Sequence, residues 1–352
     1  MPASFFPRLV SNPFQDPGLY VPFSFKKRAI FFDLGDISHL SSRDILKAGH
    51  VFISHTHMDH FIGFDHLLRL VLGRAKKLSL YGPEGFIRNL EGKLSGYSWD
   101  LVENYENILT LEATEIHQTH LLVQTYICRN RFQPAAPPQK QEFTSLILDE
   151  PGFSVSTTIL DHSIPSLGFV MKERFQINIK KTALQAFGLT PGPWLNDLKQ
   201  ALFDNKPADS DFEIPIGMAS SHGRCFKLGE LSSWIAKITQ GQKIGYITDV
   251  RYTPENLKKI IPFVQGADHL FIEAAFSEAH ADIASTKNHL TARQAGEICG
   301  KAGVKRFTIF HFSPRYSGTE TLLYQEAEDA YQKAFSNATP SCGTGVIETQ
   351  PF

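Results

Sequence analysis

The sequence predicts an α/β protein, and three observations carry that expectation. Apolar runs of strand length alternate with helix-patterned stretches along 352 residues. Acidic residues and histidines recur directly after the apolar runs, where open α/β sheets place their ligand sites. Apolar residues make up 42% of the chain, with 28 Phe, which is enough for one large core or for two similar halves packed together.

Taken in chain order, the expected strands are Ala29–Asp33, Val51–Ser54, Leu78–Tyr81, Thr144–Leu148, Ser154–Leu160, Ile244–Thr248, Leu270–Glu273 and Arg306–Phe310. The expected helices are Gly63–Leu72, Pro83–Leu94, Leu228–Lys237, Pro254–Ile261, Ala292–Ala302 and Thr319–Phe335. The helix from Ala292 is the best signposted. Thr291 and Gln294 have capping-box spacing, Ala292, Ala295, Cys299 and Ala302 share a face, and Gly303 ends it. Two stretches break the rhythm. Asn130–Gln141, NRFQPAAPPQKQ, reads as an exposed loop, and residues 172–219 form a long excursion containing LTPGPWL. Within the excursion, Lys172–Lys206 carries six Lys/Arg against three Asp/Glu, a local +3. A solvated surface insertion would account for that as simply as a binding arm.

Composition narrows the function. With 35 Lys+Arg against 36 Asp+Glu, the chain is not built to coat nucleic acid indiscriminately, although a local basic patch is compatible. No apolar run reaches the ~18–20 residues of a membrane span. MPASFFPRLVSNPF has no basic segment followed by a sustained apolar one, so secretion is not indicated. Cys128, Cys225, Cys299 and Cys342 form no C-x-x-C pair, and reduced thiols in the cytoplasm are the economical expectation.

The strongest local signal is Ser54-His55-Thr56-His57-Met58-Asp59-His60, directly after the run VFIS. In extended backbone alternate residues face one side, so His55 and His57 can grip one ion. Adjacent Asp59 and His60 point differently, which suits a second ion beside the first. Imidazole with carboxylate favours Zn2+, with Mn2+ or Fe2+ also compatible. Asp33, His162, Asp249, Glu273 and His311 all sit at expected strand ends. Singly, each could be a strand-end cap; jointly, beside the histidine cluster, they point to one site.

H-x-H-x-D-H is the signature of the metallo-β-lactamase superfamily. FISHTHMDHFIGFDHLLRL, LSLYGPEGF, LDHSIPSLGF, YITDVRYTPEN and TIFHFSPRY resemble, in order, ribonuclease Z and its phosphodiesterase relatives over roughly Ala29–Tyr316. The resemblance implies an αβ/βα four-layer sandwich over residues 1–352, with 172–219 as an inserted arm. By position it implies His55, His57 and His162 on a first metal, Asp59, His60 and His311 on a second, Asp249 bridging them, and Asp33 orienting a ligand imidazole. The implied activity is RNA phosphodiester cleavage, such as removal of tRNA 3′ trailers, by a hydroxide held between two divalent ions. Asp59 is the candidate general base. His289, in NHLTARQAGEI, is the candidate proton donor, with Glu273 keeping it charged; an ordinary loop histidine is the alternative. PGPWLNDLKQ resembles part of the flexible arm with which ribonuclease Z grips tRNA, and homodimerisation is implied in the same way. Three departures put the substrate in doubt: LGDISHLSS after Asp33, Ala275 after Ile272-Glu273-Ala274, and Leu290 after His289. The competing reading is a two-metal hydrolase of small phosphodiesters, thioesters or lactones on the same scaffold. A third is an RNA-binding protein with a merely structural metal. His39, His50, His66, His117, His120, His222, His269 and His280 are expected to serve surface or packing roles, and the substrate-binding residues are not legible.

Overall fold

The computed structural model describes residues 5–24, 27–215, 223–338 and 346–347; His222, Cys342 and the expected boundary at Ala219 lie outside them. The chain divides into two compact units, the smaller made largely of Leu148–Ser154 with Lys172–Gln242. In chain order the strands are β1 (Arg8–Leu9), β2 (Leu19–Pro22), β3 (Ala29–Phe32), β4 (Ala48–Phe52), β5 (Lys76–Pro83), β6 (Leu109–Ile116), β7 (His120–Ile127), β8 (Gln139–Glu142), β9 (Leu146–Asp149), β10 (Phe153–Asp161), β11 (Pro165–Glu173), β12 (Phe175–Ile179), β13 (Asp211–Ile214), β14 (Arg224–Lys227), β15 (Ala236–Gln240), β16 (Lys243–Ile247), β17 (His269–Glu273), β18 (Arg306–Phe310) and β19 (Val346–Ile347). One sheet runs β1 to β8 in sequence order, and the other has the order β19-β18-β17-β16-β11-β10-β9. Strands β3 to β6 are parallel neighbours, as are β16 to β19, so their carboxyl ends share an edge within each sheet.

Alternation along the strands creates four layers. Phe31, Val51, Leu78 and Leu80 face helices Phe64–Val71 and Phe86–Ser95, forming one outer core. Leu270, Ile272, Phe307 and Ile309 meet helices Pro254–Val264, Ala292–Lys301 and Thr321–Ala338 in a second. The residues between them point the other way, where rings of the two sheets meet: Phe32 lies 5.5 Å from Phe169 and 5.8 Å from Tyr246, and Phe52 lies 5.6 Å from Phe169. The sheets are therefore glued by aromatic faces, and that explains part of the high Phe content. Helix Ala292–Lys301 starts with the full capping box of Thr291 and Gln294 and presses Gly296 against the backbone at Ala327, a contact any side chain would block.

Several expectations are corrected. Strand β5 continues to Pro83, and the next helix begins only at Phe86, because Gly85 at φ 90° turns the chain first. The helix expected over Leu228–Lys237 stops at Ile235, since Ala236–Gln240 pairs with Phe175–Ile179 instead. That pairing carries the smaller unit to Gln242. The loop expected at Asn130–Gln141 ends in an edge strand: Gln139–Glu142 is exposed on both faces, so it shows no apolar alternation.

Replacing Phe52, fully buried between Phe32, Tyr81 and Phe169, with Ala is expected to cost about 3–5 kcal/mol. Denaturant unfolding reads this out, and a loss under 1 kcal/mol would show that the inter-sheet rings do not carry the packing.

Candidate metal centre

Each polar residue singled out at a strand end lies where its strand stops. Asp33 follows β3, Ser54–His60 follows β4, Asp249 follows β16, Glu273 closes β17 and His311 follows β18. Asp33, Asp249 and His311 have φ of 57°, 43° and 64°, the left-handed region that side chains avoid. The chain turns sharply off the sheet at these residues, and the turn aims their side chains inward.

Asp33 is fully buried and accepts from four donors: the Ser54 backbone N–H (2.6 Å), the Ser54 hydroxyl (2.7 Å), the Tyr246 hydroxyl (3.0 Å) and His60 Nδ1–H (2.8 Å). Since Ser54 Oγ donates to Asp33, it accepts from His55 Nδ1–H at 3.0 Å. His162 Nδ1–H donates to the Asn288 carbonyl at 2.9 Å. These bonds fix three imidazole tautomers and leave the Nε2 lone pairs of His55, His60 and His162 facing the centre. There, the Asp249 carboxylate lies 3.6 Å from His55 Nε2, 3.6 Å from His162 Nε2, 3.3 Å from His60 Nε2 and 3.0 Å from His311 Nδ1.

Ligand-capable atoms converge within 4.8 Å of one another in three overlapping groups among the described residues: His55, His57, His162 and Asp249; Asp59, His60 and His311; and Asp249, Glu273, His289 and His311. The structure thus brings together every residue the sequence proposed for the two metals. Its third group adds the proposed proton donor and its partner, whose atoms are already engaged: Glu273 accepts from Val250 N–H at 2.8 Å and from His289 Nδ1–H at 2.9 Å.

The donor set fits divalent cations. His60 Nε2 and His311 Nδ1 are buried and lie beside Asp249 Oδ1, yet neither is aligned for a hydrogen bond. Buried polar atoms this close to a carboxylate and without an aligned hydrogen bond are ones a bound cation would satisfy. Burial pushes His55 down to about 2 and lowers His162 too; both imidazoles are held neutral, the form that binds metal. At His311 burial opposes charge, but the Asp249 carboxylate outweighs it and pushes the imidazole up to about 10. The field that draws a proton there also draws a cation.

Sequence reading missed Tyr246 and the Asn288 carbonyl. No motif marks either, because one is an inward residue of an apolar strand and the other acts through its backbone. The remaining histidines mostly do as expected: His66 is exposed, and His269 is buried beside Thr308. His117 and His120 stack at 4.4 Å and 4°, so their in-plane lone pairs cannot meet on one ion.

Two packed sheets with a basin of imidazoles and carboxylates at the strand ends define a class. The chain has the metallo-β-lactamase fold and is a metal-dependent hydrolase. Residues 207–312 match the family model described as "Beta-lactamase superfamily domain". Along most of its length the chain is similar to proteins named ribonuclease Z. It is 26% identical over 313 residues to the one from Deinococcus radiodurans, covering 88% of this chain and 90% of that one. It is 28% identical over 287 residues to the one from Bacteroides fragilis, covering 81% and 78%. The solved metallo-β-lactamase fold protein YhfI from Bacillus subtilis superposes with a TM-score of 0.52 at 15% identity, over 92% of this chain and 88% of that one.

Asp33→Asn removes the charge and leaves a side chain that cannot accept from all four donors. It is expected to weaken Zn2+ binding about 10–100-fold in a chelator competition. Unchanged affinity would mean that Asp33 does not orient His60 for a metal.

Proposed function

We propose that the chain is a dinuclear metal-dependent phosphodiesterase of ribonuclease Z type, cleaving RNA phosphodiester bonds such as those of tRNA 3′ trailers. His55, His57 and His162 would hold one cation, Asp59, His60 and His311 the other, and Asp249 would bridge them. Zn2+ is the first choice for this imidazole-rich set, with Mn2+ or Fe2+ compatible. Two such ions would polarise a phosphoryl oxygen and supply a nucleophile from water at neutral pH.

The pair His289–Glu273 carries the reading toward phosphodiesters. Burial disfavours charge on His289, but the Glu273 carboxylate, through its charge and its 2.9 Å hydrogen bond, raises the imidazole above its ordinary value. Glu273 is itself fully buried and anchored on Val250 N–H, so it cannot swing away. A charged imidazole with Nδ1 engaged presents Nε2–H as an acid, and His289 borders a cleft of about 200 Å3 that it lines together with His311. In this reading it would donate its proton to a departing ribose oxygen. Asp59 has a different task. Burial would raise its carboxyl, but the hydrogen bond from His311 Nε2 at 3.2 Å and the closeness of His60 hold it well below the usual range, so it stays ionised and would orient the attacking water.

RNA as partner is supported by the ribonuclease Z relatives and by the net +3 of Lys172–Lys206. Within the smaller unit, Lys180 and Lys181 stand at the start of helix Lys181–Ala186, and Trp194 anchors helix Trp194–Phe203 into a core with Leu184 and Leu231. The arm would touch phosphates without reading bases, giving weak, salt-sensitive affinity. A homodimer working in the cytoplasm completes the proposal. Among the described residues no helix is long and apolar enough to cross a membrane.

The test compares two leaving groups. His289→Ala should cut cleavage of a precursor tRNA by about 10²–10⁴. It should affect bis-p-nitrophenyl phosphate far less, because nitrophenolate departs without a proton, and metal content should not change. Equal losses on both substrates would remove His289 as the acid. Hydrolysis of thioesters or lactones without cleavage of any RNA would favour the small-molecule reading instead. Replacing Lys180, Lys181, Lys199 and Lys206 with Glu should weaken precursor binding and flatten its salt dependence, with bis-p-nitrophenyl phosphate turnover unaltered.

A further inference from the structure

We infer that Asn288 is a positioning residue that sets His162 and His289 in common register, and that Arg251 locks it in place. Helix Ala281–Lys287 ends at Asn288 in the left-handed conformation, φ 63° and ψ 37°, which Asn tolerates better than most residues. The turn is closed by His289 N–H donating to the Ala284 carbonyl at 2.9 Å, so the backbone of Asn288 dictates where His289 begins. The same residue offers its carbonyl to His162 Nδ1–H at 2.9 Å, and its side-chain oxygen accepts from Arg251 Nε at 2.7 Å. Arg251 is tied to the residue preceding His162 as well, through its backbone N–H to the Asp161 carbonyl (3.0 Å) and its guanidinium to the Asp161 carboxylate (3.3 Å).

One asparagine therefore joins three segments: the turn after β10 that carries His162, the turn after β16 that carries Asp249 and Arg251, and the helix end that delivers His289. A shift of any one relative to the others would move a metal ligand and the acid together. The Arg251–Asp161 pair is exposed and contributes little by its charges alone. The information lies in the directional bond from Nε to Asn288, which holds the carbonyl pointed at His162. This inference takes the metal and acid roles of the preceding section as its starting point.

The experiment uses Asn288→Gly, Arg251→Gln, their double variant and Asn288→Asp. Glycine keeps the left-handed turn and the carbonyl but removes the acceptor for Arg251, so the fold is expected to survive. Zn2+ affinity is read by chelator competition, and kcat and KM are read on bis-p-nitrophenyl phosphate and on precursor tRNA. Asn288→Gly and Arg251→Gln should each loosen Zn2+ about 10–100-fold and lower kcat with KM within about twofold. The double variant should be no worse than the more severe single, because both cut one bond. Asn288→Asp, which still accepts from Arg251, should stay near wild type. Zn2+ affinity and kcat within twofold of wild type for Asn288→Gly would overturn the inference, and so would additive losses in the double variant. If His289→Ala is silent while Asn288→Gly loosens Zn2+, the acid role falls and the positioning of His162 stands. If His289→Ala stops RNA cleavage while Asn288→Gly changes nothing, the positioning role alone falls.

Discussion

Asp33 is a carboxylate with no exposed surface, and four hydrogen bonds stabilise its charge. Those bonds come from both sheets: Ser54 and His60 follow β4, while Tyr246 belongs to β16. An isolated buried carboxylate would be strongly unfavourable, so the donors and the acceptor require one another. The consequence reaches the functional groups directly. His60 has its Nδ1 occupied and can turn only Nε2 toward the centre, and Ser54, already donating to Asp33, can only accept from His55. Two tautomers and the meeting of two sheets thus follow from a single acidic side chain.

The wider charge distribution gives the centre its purpose. Asp33, Asp249 and Glu273 are almost wholly buried, and Asp59 stands beside them. Among the described residues these four are met by imidazoles, hydroxyls and backbone N–H groups, not by Lys or Arg. Such a concentration of negative charge in a low-dielectric pocket is costly unless cations join it. On the proposed dinuclear reading two divalent ions would carry the matching charge, so cation binding would stabilise the fold as well as serve the chemistry.

How much of this was legible in the sequence depended on whether the signal was local. His55, His57, Asp59 and His60 sit within six residues and could be read outright. His162, Asp249, Glu273 and His311 could be placed because apolar runs ended at them, and the ribonuclease Z resemblance then grouped them. Strands β6 and β7 escaped a definite reading, although Leu109, Leu111 and Ala113 alternate with polar residues as a half-buried strand should. β11 was hidden by its Pro165 and Gly168, which usually argue against a strand. Tyr246 and Asn288 could not be found at all. What matters in one is a hydroxyl meeting a residue 213 positions away, and in the other a carbonyl meeting one 126 positions away.

Strand register explains why the proposed proton donor and the proposed metal ligands lie side by side. In the parallel run β16-β17-β18, Ile247 pairs with Ile272 and Glu273 with Phe310, so the three strands stop almost level. Neighbouring strands lie about 4.8 Å apart, a spacing that suits side chains sharing or flanking one cation. Asp249 and His311 leave the sheet through strained left-handed turns, whereas Glu273 remains within its strand and keeps the ladder's geometry. That difference fits their tasks. The proposed ligands would have to be swung toward a centre between strands, whereas the residue proposed to keep His289 charged would have to be held still. A one-residue slip of β17 would turn Glu273 to the opposite face and leave His289 without its partner, while leaving His55, His57 and His60 in place. In the proposed roles, the histidine turn after β4 bears on metal binding and the register of β17 on the acid, while Asn288 couples His162 to His289.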